Sequence, residues 1–309
     1  MRILVTGGTG FIGAEIVRRL TNQDHDVIVA HRSGNFSRIE DVLDRVTPVQ
    51  ADLGDNDAVT ALVTDIAPEI IHHFGATLTG PGEADPPALL RSNVDGVITL
   101  FDAAQAAGTR QVIFASSIGT YGRDLMPGEP VHDFSLQRPT SVYGVTKVFA
   151  ENLGAWYRQR YGLDYRGIRY PSIVGPGVTT KSVAQYTSWM IEAAGRGEAF
   201  DAWVGPEAVV PILYYKDAAQ AAIDLSDAPI EDIASINYLV DGPRPTPTAG
   251  QLAEAVVAAV PAAEIRFEDS SDTPSRHLVI DDAIARKEWG WAPSFSLEAM
   301  IEDFLHEMT

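Results

Sequence analysis

Apolar residues follow two rhythms along this chain. In the first half they form short unbroken runs, Ile3-Leu4-Val5, Val27-Ile28-Val29 and Val112-Ile113-Phe114. A strand with one wet face alternates apolar and polar residues, so continuous runs predict strands of a parallel sheet covered on both faces. The strand candidates are residues 2–6, 27–30, 46–50, 70–74 and 111–116. Between them, apolar positions three and four apart predict helices over 11–20, 56–65 and 94–107. Strands alternating with helices define the α/β class, a doubly wound parallel sheet. The second half is less regular. It predicts a helix over 142–161, a strand over 165–170, a break at Gly175-Pro176-Gly177, and helices over 183–194 and 218–225. Two short helices follow, around the turn Gly290-Trp291. These pieces predict a small mixed lobe over the carboxyl ends of the strands, where open α/β folds bind ligands. The expected division is a core over residues 1–170 and a substrate-binding lobe over 171–309, with some segments returning to the core.

The first strand runs directly into Gly7-Gly8-Thr9-Gly10-Phe11-Ile12-Gly13, and a helix follows. A helix N-terminus offers free N–H groups to a phosphate, provided that the chain turns tightly and lets the phosphate approach its backbone. Gly7, Gly10 and Gly13 leave room for the turn, the phosphate and the helix–sheet contact. Strand, glycine loop and helix in this order predict a dinucleotide site, with Phe11 and Ile12 in its loop. An NAD site usually carries Asp or Glu near the end of the second strand, to bind the ribose. Here His31-Arg32-Ser33 stands there. Arg32 is either a solvated strand-end cation or a bidentate partner for a 2′-phosphate, so NAD and NADP both stay open.

Composition narrows the partners. The 309 residues carry a formal charge of −19, a field that repels nucleic acid and anionic membranes while leaving a small anionic substrate possible. Cysteine is absent, which excludes disulfides and thiolate catalysis. No apolar run approaches the ~20 residues of a membrane span. The seven histidines show no metal-ligand spacing, so no metal is expected. The first strand begins at the N-terminus with no leader pattern before it, and a cytoplasmic enzyme is expected.

Tyr143 and Lys147 lie four apart and share a helix face. A tyrosine hydroxyl titrates near 10, and a neighbouring ammonium lowers that value. Such a tyrosine takes the proton of a substrate alcohol while hydride leaves the same carbon, and returns it in reduction. Ser116-Ser117 ends a strand. Ser117 is expected to hold the reacting oxygen against Tyr143, and Ser116 to support the cofactor or the loop.

Together the glycine loop, Ala51-Asp52-Leu53, Asn93, Ser116-Ser117, Tyr143/Lys147 and Arg169-Tyr170-Pro171 resemble the extended short-chain dehydrogenase/reductase family, which includes nucleotide-sugar epimerases and dehydratases. The resemblance covers nearly the whole chain and implies a Rossmann sheet. It implies adenine contacts from Asp52 and Leu53, a nicotinamide-ribose wall from Phe74-Gly75-Ala76, and passage of Tyr170, Pro171 and Ile173 beside the nicotinamide. It gives Asn93 either a place holding a loop near the site or a plain helix-cap role. It also implies a homodimer through the helices at 94–107 and 142–161, unless their alanine faces simply cover the sheet.

Two departures weaken a nucleotide-sugar reading. Pro171-Ser172 stands where such epimerases usually carry Asn, and no Arg precedes Tyr214-Tyr215 to meet a diphosphate. The segments Pro176-Gly177-Val178-Thr179-Thr180, Val210-Pro211-Ile212-Leu213-Tyr214 and Glu288-Trp289-Gly290-Trp291 are more similar to the L-threonine dehydrogenase branch. That resemblance implies oxidation of a secondary alcohol in a small hydroxy or amino acid, with Thr77, Ser117, Thr179, Thr180 and Arg276 as candidate substrate contacts. A UDP-sugar 4-epimerase holding NAD tightly, or a sugar-acid dehydrogenase, is the alternative.

Overall fold

The computed structural model describes residues 1–122, 129–179, 184–267 and 279–308. In chain order the first half is β1 (Arg2–Thr6), α1 (Phe11–Thr21), β2 (Asp26–His31), β3 (Val46–Gln50), α2 (Asn56–Ile66), β4 (Ile70–His73), α3 (Thr79–Ala84), α4 (Pro86–Leu90), α5 (Gly96–Ala107) and β5 (Gln111–Ser117). The second half is β6 (Pro130–Val131), α6 (Val142–Tyr161), β7 (Asp164–Tyr170), β8 (Ser172–Val174), α7 (Tyr186–Arg196), β9 (Phe200–Ala202), β10 (Ile212–Tyr214), α8 (Tyr215–Asp227), β11 (Asn237–Leu239), α9 (Ala249–Ala259), β12 (Ile265–Phe267), β13 (Val279–Ile280), α10 (Ala283–Trp289) and α11 (Leu297–His306).

Seven strands form one sheet in the order β11-β7-β5-β4-β1-β2-β3, and every neighbouring pair is parallel. The apolar runs dictate this. Leu4 and Ile28 face one layer, packed with residues of α2, α5 and α6, while Ile3, Val5 and Val29 face the other, packed with α1 and α8. Order reverses at β1, between β4 and β2, and that is where an open parallel sheet leaves a crevice at its carboxyl edge. Ala103 and Ala104 are buried in the first layer, so this part of the alanine face covers the sheet.

The lobe has a core of its own, built from α7, α9 and α11 around the parallel pair β8–β10. Two segments of the second half return to the main body: β11 extends the sheet beside β7, and α8 packs on α1. Local chemistry sets the helix ends. Asp55 caps α2 by accepting from the N–H groups of Asp57 and Ala58, and Ser141 caps α6 through Gly144. Gly162 closes α6 at φ +76°, a conformation that costs glycine little.

Boundaries move in several places. Strand β4 stops at His73, so Phe74 belongs to the following loop. The helix expected from 94 begins at Gly96 after a wide turn over Arg91–Asp95. Helix α7 runs from Tyr186 to Arg196 and α8 already begins at Tyr215. Among the described residues no helix is long and apolar enough to cross a membrane.

Candidate functional site

The crevice at the carboxyl edge is a cleft of about 780 Å³ running from the end of β2, across the glycine loop, to the end of β5 and the first turn of α6. Close approach explains its glycines. Gly7 turns at φ +68°, and a methyl there would lie 2.7 Å from the Gly75 nitrogen. A methyl on Gly13 would lie 2.2 Å from the Gly7 carbonyl oxygen, so α1 reaches the loop only because Gly13 has no side chain. No side chain caps α1, and its amino end opens on the cleft, as an incoming pyrophosphate needs. The cradle therefore fits a dinucleotide.

Most of the expected cofactor residues line this cleft: Gly7, Gly10, Phe11, Ile12, Gly13, His31, Arg32, Asp52, Leu53, Phe74, Gly75, Ala76, Pro171 and Ile173. Arg32 is exposed at its rim, and its carbonyl accepts from Gln50. Ser116 and Tyr170 also line the cleft but commit their hydroxyls elsewhere, and Asn93 is not part of the lining. Asn93 is buried and lies off the cleft wall; its amide both donates to the Thr77 carbonyl (2.8 Å) and accepts from the Thr77 N–H (2.9 Å). It clamps the loop after β4 and is not a helix cap. Ser116 spends its hydroxyl on Glu151. Tyr170 donates its hydroxyl to the Ala218 carbonyl at 2.8 Å, which leaves only its ring as wall.

The catalytic candidates converge. Ser117 is the last residue of β5, and its Oγ accepts from the Gly119 N–H in the turn that follows. Helix α6 meets that turn closely, since a methyl on Gly144 would lie 2.2 Å from the Gly119 carbonyl oxygen. This contact brings the Tyr143 ring beside Ser117: a methyl on Gly119 would lie 3.2 Å from the Ser117 Oγ and 3.7 Å from the Tyr143 ring. Lys147 Nζ donates to the Ala115 carbonyl at 2.7 Å and lies 4.6 Å from the Phe114 ring and 5.5 Å from the Tyr143 ring. The expected lowering of the tyrosine is not what the fold delivers. Burial pushes Tyr143 up to about 12, and the Ser117 hydroxyl only partly offsets that. Burial likewise drives Lys147 down to about 7 against the pull of the Glu151 carboxylate. Desolvation outweighs pair attraction because both groups sit in a poorly hydrated wall.

Behind this trio lies a polar network that the sequence reading missed. Arg169 forks onto both oxygens of Glu151 (2.9 and 2.7 Å), and donates to the Tyr121 hydroxyl and the Asp133 carbonyl. Glu151 follows Lys147 by one helical turn, a spacing visible in the sequence. The network ties α6 to β5 and β7 and so fixes the trio's geometry.

The rest of the cleft wall includes Thr77, Thr79, Ser141, Ser172, Val178, Ala184, Gln185 and Val210. Thr77 is thus placed as expected, with its hydroxyl 2.8 Å from that of Ser92. Thr179 is not: it is exposed and off the cleft, and Val178 takes the wall position, held by a Trp189 bond to its carbonyl. Thr180 and Arg276 lie outside the described residues. Gln185 was not anticipated.

Comparison with known proteins fits this geometry. The model of the NAD dependent epimerase/dehydratase family matches residues 3–238. The chain belongs to that family. It is therefore an NAD(P)-dependent enzyme of the extended short-chain dehydrogenase/epimerase superfamily. The mitochondrial L-threonine 3-dehydrogenase of Sus scrofa is 29% identical over 99% of this chain and 82% of its own length. The holo form of an L-threonine dehydrogenase from Cupriavidus necator superposes with a TM-score of 0.86 at 26% identity, over 99% of each chain. A UDP-glucose 4-epimerase from Thermotoga maritima superposes at 0.87 over 100% of this chain and 98% of its own, at 22% identity, a likeness of fold alone.

Proposed function

We propose that this enzyme oxidises the secondary alcohol of a small hydroxy or amino acid, with L-threonine as the best substrate. The observation that carries this reading is the lining of the cleft. Among the described residues the cleft presents hydroxyls, one amide and apolar walls, and its cations are Arg32 at the end of β2 and Lys147, whose ammonium is committed to the Ala115 carbonyl. A nucleoside diphosphate brings two phosphates that demand cations or dense N–H contacts. A compact amino acid does not.

The bound nicotinamide supplies the hydride acceptor. The protein's part is proton handling and orientation. Ser117 holds the alcohol oxygen, and Tyr143 takes its proton as the carbon–hydrogen bond breaks. The Ser117 hydroxyl favours the ionised tyrosine and partly offsets the burial that raises it, while Lys147 stands beside the Tyr143 ring. The Asn93 clamp keeps Thr77 and the loop after β4 against the reacting end. The glycine loop and Arg32 hold the other end of the cofactor.

Steady-state reduction of NAD and NADP over L-threonine, L-serine, 3-hydroxybutyrate, aldonates and UDP-sugars tests the assignment. Turnover is expected on L-threonine, and C4 epimerisation of a UDP-sugar with silence on every small acid contradicts it. Arg32 gives a second prediction. It makes no acidic ion pair among the described residues and stands where a ribose 2′-substituent arrives, so NADP is accepted at least as well as NAD. Arg32→Asp is expected to move the ratio of kcat/KM values toward NAD by about tenfold or more, the worth of one charge-assisted bond plus a new repulsion. An unchanged ratio would make Arg32 a solvated side chain.

A further inference from the structure

Helix α7 begins at the wall of the cleft, which Ala184 and Gln185 line. Gln185 occupies the cap position of α7, yet no side chain caps this eleven-residue helix. The amino end of such a helix carries a positive partial charge and N–H groups in search of acceptors. Gln185 itself is only 6% exposed, and its Nε2 has no hydrogen-bond partner. A buried amide donor is normally paired, because leaving it unpaired forfeits its hydration for nothing. Among the described residues nothing accepts from this Nε2, and Gln185 lines the cleft, so the amide is the donor available on this part of its wall.

Both features ask for the same thing, an oxygen acceptor bearing negative charge. Ile173, Val178 and Val210 add apolar side chains to the wall of the same cleft. Low polarity there strengthens any charge-assisted bond that forms. We propose that the amino end of α7, with the Gln185 amide, is the subsite for a carboxylate of the substrate, opposite the alcohol held by Ser117 and Tyr143. A carboxylate fits better than a phosphate because the cations among the described lining residues are Arg32, at the end of β2, and Lys147, already committed to the Ala115 carbonyl. The proposal rests on the small-acid reading above and makes Gln185 a specificity-determining residue of that reaction.

The test uses the full-length enzyme with L-threonine and its preferred cofactor, comparing Gln185→Leu and Gln185→Glu with wild type. Leu removes the donor and is expected to raise KM for L-threonine about tenfold or more, as loss of a charge-assisted bond does. Glu keeps the size and sets a second negative charge against the carboxylate, so its KM rises further. For both, kcat stays within about threefold and KM for the cofactor is unchanged, because the lost contact binds ground and transition states alike. Thermal stability of the Leu variant is expected to equal or exceed wild type, since an unpaired buried donor is removed. An unchanged KM in the Glu variant, or a Leu variant several degrees less stable at unchanged KM, overturns the subsite. Failure of the small-acid reading looks different: wild type itself turns over none of the acids, and the carboxylate subsite falls with it.

Discussion

Tyr143→Phe is expected to lower turnover by about 10²–10⁴-fold, the range that a positioned acid–base group contributes. Cofactor affinity should hardly change. The phenyl ring keeps the contacts of Tyr143 with the turn after β5, and the glycine loop expected to hold the pyrophosphate is a separate part of the cleft wall. The hydroxyl alone is lost, and it is the group to which the proposed mechanism gives the substrate proton. Steady-state kcat with L-threonine, beside a cofactor titration by protein fluorescence, separates the two effects. Near-wild-type turnover would remove Tyr143 from the chemistry and leave the Ser117–Tyr143–Lys147 cluster as a wall.

Gly13→Ala has the opposite signature. Its added methyl would lie 2.2 Å from the Gly7 carbonyl oxygen and 3.0 Å from the Gly8 Cα, so backbone must move against backbone. Overpacking of this kind costs about 1–3 kcal/mol, and here the loop that shifts is the phosphate cradle. The variant is expected to melt earlier and to lose most of the thermal stabilisation that saturating cofactor gives wild type, since that gain follows affinity directly. Melting with and without cofactor measures both. A variant with the wild-type cofactor-dependent rise would mean that α1 and the glycine loop need not touch for binding.

These two residues show what was legible. The glycine loop is readable because strand, turn and helix constraints fall on consecutive residues, and Tyr143 with Lys147 because helical spacing places them together. Three of the five strands from β1 to β5 announce themselves as unbroken apolar runs, at residues 3–5, 27–29 and 112–114, and a doubly wound sheet follows from their alternation with helices. Short elements carry no such signal. Strand β11 is three residues long, Asn237–Leu239, and joins the sheet only through β7. Helix α9 was missed despite a readable start, the reciprocal cap between Thr248 and Gln251.

At the site, residue types were easier to read than directions. The serine pair at the end of β5 was recognised, but strand alternation sends Ser116 away to Glu151 and only Ser117 toward Tyr143. Asn93 was placed near the site correctly, though its amide is consumed by the Thr77 backbone. The family resemblance puts Thr179 at the substrate, yet it is exposed off the cleft, and Val178, whose carbonyl accepts from Trp189, lines the wall instead. The acidity of Tyr143 was judged from its lysine neighbour alone, whereas burial, invisible in spacing, is the larger influence. Gln185 has no motif around it; only its unpaired, buried amide marks it.

The most direct test of the central claim follows the hydrogen. Wild-type enzyme is mixed with L-threonine carrying deuterium at C3 and the oxidised cofactor, and the reduced cofactor is examined by NMR or mass spectrometry. Oxidation of that alcohol predicts one deuterium on the reduced nicotinamide for each substrate consumed, with the label absent when Tyr143→Phe is used under the same conditions. Unreduced cofactor alongside intact L-threonine, with a UDP-sugar inverted at C4 by the same preparation, would contradict it.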